Sequence, residues 1–167
     1  MDSKDKMVKI LCPAAKVLIT LILITGLCSI SVLYVLDIKN IVTVIIEILT
    51  VVLPIVLAIV RGTIEAGDEG IEVKMPIGRN RVIPYADISA VTLDAAAGRK
   101  VAKSFSTRML LQMITIATAR GTVTYKTYTG ETITNWGVLY DPATKAQYVA
   151  DSPFTEIAAY IRQRSGI

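Results

Sequence analysis

Two long apolar runs, separated only by Asp37, Ile38 and Lys39, dominate the first third of this chain. Val17 to Leu36 is an uninterrupted stretch of 20 uncharged, mostly aliphatic residues, the length a helix needs to cross a hydrocarbon core of about 30 Å. Asn40 to Val60 adds a second stretch of 21 residues, broken only by Glu47 and Pro54. The residues between them are too few to cross back. The pattern therefore predicts a transmembrane helical hairpin, with one helix over about 14–36 and the other over about 40–61. A cleaved signal fits poorly, because the apolar run continues eight residues past Cys28. A lipoprotein signal fits no better, because the bulky Leu27 stands where a small side chain is required.

Flanking charge sets the expected orientation. Lys4, Lys6, Lys9 and Lys16 precede the first span and Arg61 follows the second, against Lys39 alone in the turn. The positive-inside bias makes residues 1–13 a cytoplasmic tail and puts both termini of a multi-pass cell (inner) membrane protein in the cytoplasm. Within the second span Glu47 needs an explanation, since a carboxylate facing lipid costs about 3 kcal/mol. Thr43, Glu47, Thr50, Pro54 and Ala58 recur at helical spacing, a stripe suited to a helix-helix interface in lipid. On the first helix Lys16, Thr20, Gly26, Ser29 and Ser31 fall on no single face. Two readings of Glu47 stand: contact with another subunit or an ion path, or a protonated acid packed inside the hairpin.

Beyond Arg61 the composition changes. Residues 61–167 carry 13 basic and 10 acidic side chains, and residues 1–60 five lysines against four acids, so the net charge of +4 is spread thinly. That is too weak to argue for a nucleic-acid partner. Cys12 and Cys28, about 24 Å apart if one helix holds both, cannot pair, so no disulfide framework supports the second part.

From Thr63 the pattern has period two. Thr63 to Ala66, Ile71 to Met75 and Arg81 to Ile83 read as short strands around turns at 67–70 and 76–80, and further extended segments are expected at 89–93, 113–117, 122–127, 131–136 and 147–150. Turn signals stand at Ala97-Gly98, Arg120-Gly121, Thr129-Gly130 and Asp141-Pro142. Ser152-Pro153 then opens an amphipathic helix over 153–165, with Phe154, Ile157, Ala158 and Ile161 on its apolar side. The expected whole is a mostly β barrel or sandwich over 62–167, capped by one C-terminal helix.

Ile83-Pro84-Tyr85-Ala86-Asp87-Ile88, followed by Ser89-Ala90-Val91, resembles the "IPY-x-DI-x-x-V" stretch of bacterial pleckstrin-homology-like (PH-like) domains. Tyr148 to Phe154 is similar to that family's strand-to-helix entry. The resemblance covers roughly residues 63–165 and implies a PH-like barrel, in a family whose members often carry two N-terminal transmembrane helices. The segment from Arg99 to Ala119 departs from the pattern, which has more glycine there. In the resembled fold, lipid-binding members place a lysine followed by an R-x-R-like pair on the first hairpin. Lys74, Arg79 and Arg81 stand in that order here, which implies a contact for anionic phospholipid headgroups. A second candidate is Arg99, Lys100, Lys103, Phe105 and Arg108, where basic and apolar groups interleave as in segments resting on a membrane surface.

The chain has no histidine, and its second part has no cysteine, no glycine-rich phosphate loop and no acidic pair at motif spacing, so no metal, cofactor or catalytic residue is expected. The sequence reads as a non-enzymatic, membrane-anchored scaffold or accessory subunit, whose partner is another membrane protein or a second copy of itself. The alternatives are a lipid-sensing module and a subunit of a transport assembly with Glu47 in the path.

Overall fold

The structure, a computed structural model, describes residues 7–35, 41–101 and 106–167, and no side chain at Ala58. Two compact units are present. One consists of Cys12–Gly62 with Met75–Arg79; the other combines the chain up to Leu11 with Thr63–Lys74 and Asn80–Ile167.

The first unit is helical. Pro13 opens helix α1, Pro13–Val35, where its missing N–H costs nothing, and α2 spans Ile41–Ile59. Helix α1 is long and apolar enough to cross a membrane, whereas the described apolar stretch of α2, Ile41–Leu57, is shorter. The two helices pack against each other, and large aliphatic side chains such as Leu21, Ile24, Leu27, Ile48, Val52 and Ile55 stay exposed. Where the helices meet, a Cβ added to Gly26 would fall 2.3 Å from Thr50 Oγ1, so glycine leaves the room that Thr50 needs there. The loop Met75–Arg79 joins this unit, and the Cys12 thiol donates to the Ile77 carbonyl at 3.5 Å.

The second unit is built on two antiparallel arrays. Strands β1 (Met7–Leu11), β2 (Arg61–Ala66), β3 (Gly70–Lys74) and β4 (Arg81–Pro84) form a four-stranded sheet in chain order. Strands β5 (Ile88–Lys100), β6 (Arg108–Thr118) and β7 (Gly121–Ile133) form a three-stranded meander. The tail expected over 1–13 thus gives way to a strand at 7–11. Met7 and Lys9 alternate outward with Val8 and Ile10 inward, and the long-range neighbour β2 is what turns this pattern into a strand.

The β2–β3 and β3–β4 hairpins match the expected segments, and the later elements differ in instructive ways. Thr129-Gly130 is not a turn but a bulge inside β7: Leu111 pairs with Tyr128 and Met109 with Thr132, so β7 carries extra residues, with Gly130 at φ +85°. Ala97-Gly98 likewise lies inside β5 at a register shift. The strand expected at 147–150 is helical, part of α3 (Pro142–Ala150). Asp141 caps α3 by accepting the Thr144 N–H at 2.8 Å, and Pro142 occupies its first turn. The C-terminal helix α4 begins at Thr155, two residues later than expected, because Ser152 uses its hydroxyl to accept the Phe154 N–H in the preceding turn.

Fully buried side chains come from both sheets, from α4 and from Phe154 just before it: Ile10, Ile64, Ile71, Leu110, Ile114, Ile116, Phe154, Ile157 and Ile161. The helices are also held by polar ties to the meander. Arg162 of α4 donates to the Val91 carbonyl at 3.2 Å, Lys145 of α3 pairs with Asp94, and Gln112 donates to the Tyr148 carbonyl at 2.8 Å.

Candidate functional site

The first basic group does not converge on one point. Glu65 and Glu72 lie directly opposite each other on β2 and β3, a like-charge pair that destabilises a sheet on its own. Lys74 relieves it, with Nζ 3.1 Å from Glu65 and 3.2 Å from Glu72, and these hydrogen bonds, Glu65 first, raise the lysine pKa. Lys74 is therefore already committed to neutralising two carboxylates. Arg81 opposes Val73, so alternation sends it to the other face of the sheet, where its charge acts on Tyr125. Arg79 is exposed and belongs to the helical unit.

The second group is better organised. Lys103 and Phe105 lie outside the described residues, but Arg99, Lys100 and Arg108 flank them at the ends of β5 and β6. Arg99 Nε donates to Met109 Sδ at 3.2 Å and its guanidinium lies 5.4 Å from the centre of the Tyr128 ring. Arg108 lies 5.4 Å from the centre of the Trp136 ring and donates to the Gly98 carbonyl at 3.3 Å. Trp136 in turn meets Tyr140 edge to face at 6.0 Å within the 3₁₀ turn Trp136–Tyr140. Gly98 links the two pairs: a Cβ there would strike the Tyr128 ring at 2.4 Å and the Met109 carbonyl at 2.9 Å. Among the described residues neither arginine pairs with a carboxylate. The three aromatic partners went unread in the sequence, where only the lone tryptophan followed four residues on by a tyrosine hinted at them.

In the helical unit the described part of the α2 stripe, Thr43 to Pro54, is turned inward, and the side chain of Ala58 lies outside the described residues. Thr43 and Thr50 are buried, and Glu47 and Pro54 are half-buried; Leu57 continues the same face. The answering face of α1 is apolar, made by Ala15, Ile19, Ile22, Gly26, Ile30 and Leu33. Of the polar and small residues of α1 named above, only Gly26 lies on it. Lys16, Thr20, Ser29 and Ser31 are exposed, and the three hydroxyls donate to carbonyls of their own helix, Lys16, Thr25 and Leu27 respectively.

One cleft, of about 480 Å³, opens between the terminal strands of the two sheets. Met7, Val8 and Lys9 of β1 form one wall, Thr127, Tyr128, Thr129 and Glu131 of β7 the other, and Asp151 and Pro153 close an end. Among the described residues no cluster of histidine, cysteine and carboxylate side chains is placed to hold a metal ion. Comparison with known proteins returns no matching family model, no matching curated protein and no matching solved structure.

Proposed function

We propose that the protein is a membrane-anchored, non-enzymatic scaffold or accessory subunit: α1 and α2 span the membrane as a hairpin, and a PH-like β module on the cytoplasmic face holds a protein partner. The reading rests above all on one observation, that the helices are spliced into the chain between β1 and β2, neighbours in one sheet. Both chain connections between the anchor and the β module therefore run into strands of one sheet. The exposed aliphatic surface of both helices suits lipid rather than water. The PH-like assignment is supported by the four-plus-three strand order, the terminal helix α4 and the role of the IPY tyrosine. Tyr85 donates to the Gly67 carbonyl at 2.7 Å and meets Tyr160 of α4 edge to face at 6.1 Å, joining the β2–β3 turn to the terminal helix.

The partner site best supported is the β1–β7 cleft, where the terminal strands of the two sheets present polar side chains, Lys9, Thr127, Thr129 and Glu131, for selection. Headgroup sensing by the first hairpin is the weaker reading, because Glu65 and Glu72 already hold Lys74. A photo-crosslinking residue placed at Thr129 of the full chain, in native membranes, distinguishes them. Adducts with a discrete protein are expected; adducts with lipid alone would overturn the scaffold reading.

A further inference from the structure

The end of the β5–β7 meander carries an organised surface that shares only Tyr128 with the partner cleft. Trp136 is 38% and Tyr140 79% exposed, although both are large amphipathic rings of the kind that settle at a bilayer interface. Arg99 and Arg108 stand over Tyr128 and Trp136 with no carboxylate opposite them among the described residues. An arginine has five N–H donors; the contacts given above occupy one on each and the Nε of Arg108 is buried, which leaves the terminal nitrogens to supply the rest. From residue 99 to 108 the chain has four basic side chains and no acidic one. Cations carrying spare donors beside exposed tryptophan and tyrosine are complementary to a negatively charged, partly apolar layer. An acidic protein surface would satisfy the same charge and rings, and the apolar anchor that this chain carries favours the bilayer.

We infer that this surface, made by Arg99, Arg108, Tyr128, Trp136 and Tyr140, docks on the anionic headgroup layer of the bilayer that anchors the chain. The inference rests on the reading of α1 and α2 as the anchor. Phosphates meet the guanidinium groups while Trp136 and Tyr140 enter the interface, and each Arg–ring pair delivers charge and apolar area to one spot. The β module is then fixed against the membrane at a second point besides its hairpin.

Trp136 is the only tryptophan in the chain, so its fluorescence reports this surface alone. The full-length protein is reconstituted into vesicles of phosphatidylcholine, with and without phosphatidylglycerol, whose acyl chains carry bromine as a quencher. Trp136 emission should move to shorter wavelength and be quenched in the anionic vesicles. Both effects should fade as salt is raised from about 0.01 M to 1 M, which cuts the screening length from about 30 Å to about 3 Å. Arg99→Gln, at an exposed position, should weaken the anionic dependence while leaving co-flotation intact. Co-flotation with water-exposed, unquenched Trp136 in every vesicle overturns the inference and leaves the anchor standing, and so does a Trp136 shielded from water but unquenched, which marks a protein contact. Failure to co-float overturns both.

Discussion

At the scale of single residues, Tyr85 shows how one side chain of a recognisable motif acquires a structural task. Its ring is 7% exposed and its hydroxyl is committed to the Gly67 carbonyl. Burial, with the neighbouring Tyr160 adding to it, pushes its pKa up to about 12. A tyrosine that ionises later when folded than when unfolded stabilises the fold fully below about pH 10, and that contribution is lost as pH rises through about 12. Alkaline titration followed by tyrosinate absorbance should therefore find a late-titrating group that Tyr85→Phe removes. The variant should also be less stable at neutral pH by about 1 kcal/mol, the net worth of one hydrogen bond, in a denaturant melt. An unchanged late titration would reassign the group. Gln112 makes a different point: it sits at 1% exposure in the core stripe of β6, between Leu110 and Ile114, and its amide N–H is spent on holding α3, while its buried Oε1 has no partner among the described residues.

At the scale of elements, α3 is the clearest case of local signals that compete. Tyr148-Val149 favours a strand, while Asp141-Pro142 followed by Ala143, Lys145, Ala146 and Gln147 favours a helix, and the cap and propensity prevail. The Thr144 hydroxyl, then its backbone N–H, hold the Asp141 carboxyl below its ordinary value. A group whose folded pKa is depressed contributes stability above its unfolded pKa and loses it as pH falls through the folded value. Asp141→Ala should thus lower the thermal midpoint at neutral pH, and the gap from the unmodified chain should close as the solution is taken below the ordinary carboxylate range. A gap that persists in strong acid would show that Thr144 and the helix do not depend on the ionised cap. The hairpin helices are a second case: threonines on α2 meet a small and aliphatic face on α1, while the α1 hydroxyls serve their own backbone.

At the scale of the whole molecule, the decisive arrangement is that β1 and β2 are sheet neighbours with the entire helical hairpin between them in sequence. Val8 at 8% and Ile10 at 0% exposure make β1 a core element, each side chain worth about 1.5–3 kcal/mol of burial. Truncation before Cys12 should therefore loosen the β unit: limited proteolysis in detergent should cleave the truncated chain within 63–167 under conditions that spare the full chain. Equal resistance would return residues 7–11 to the status of a tail.

Much of this was legible in the sequence because periodicity and length are local. Twenty uncharged residues marked out α1, alternation around 67–84 predicted the β2–β4 hairpins, and Phe154, Ile157, Ala158 and Ile161 predicted the buried side of α4, all now at full burial. Periodicity says which face of an element must be covered, but not what covers it. That β1 is a strand depended on β2, some 50 residues away. That Lys74 is neutralised depended on the cross-strand meeting of Glu65 with Glu72, and the ring over which Arg108 lies belongs to Trp136, outside its own strand pair. By itself the sequence determined the apolar hairpin segments, the strand-rich second part and the closing helix. Only the tertiary structure decided which charges were already satisfied and which aromatic rings stood beside the rest, because pairings between distant segments leave no local period to read.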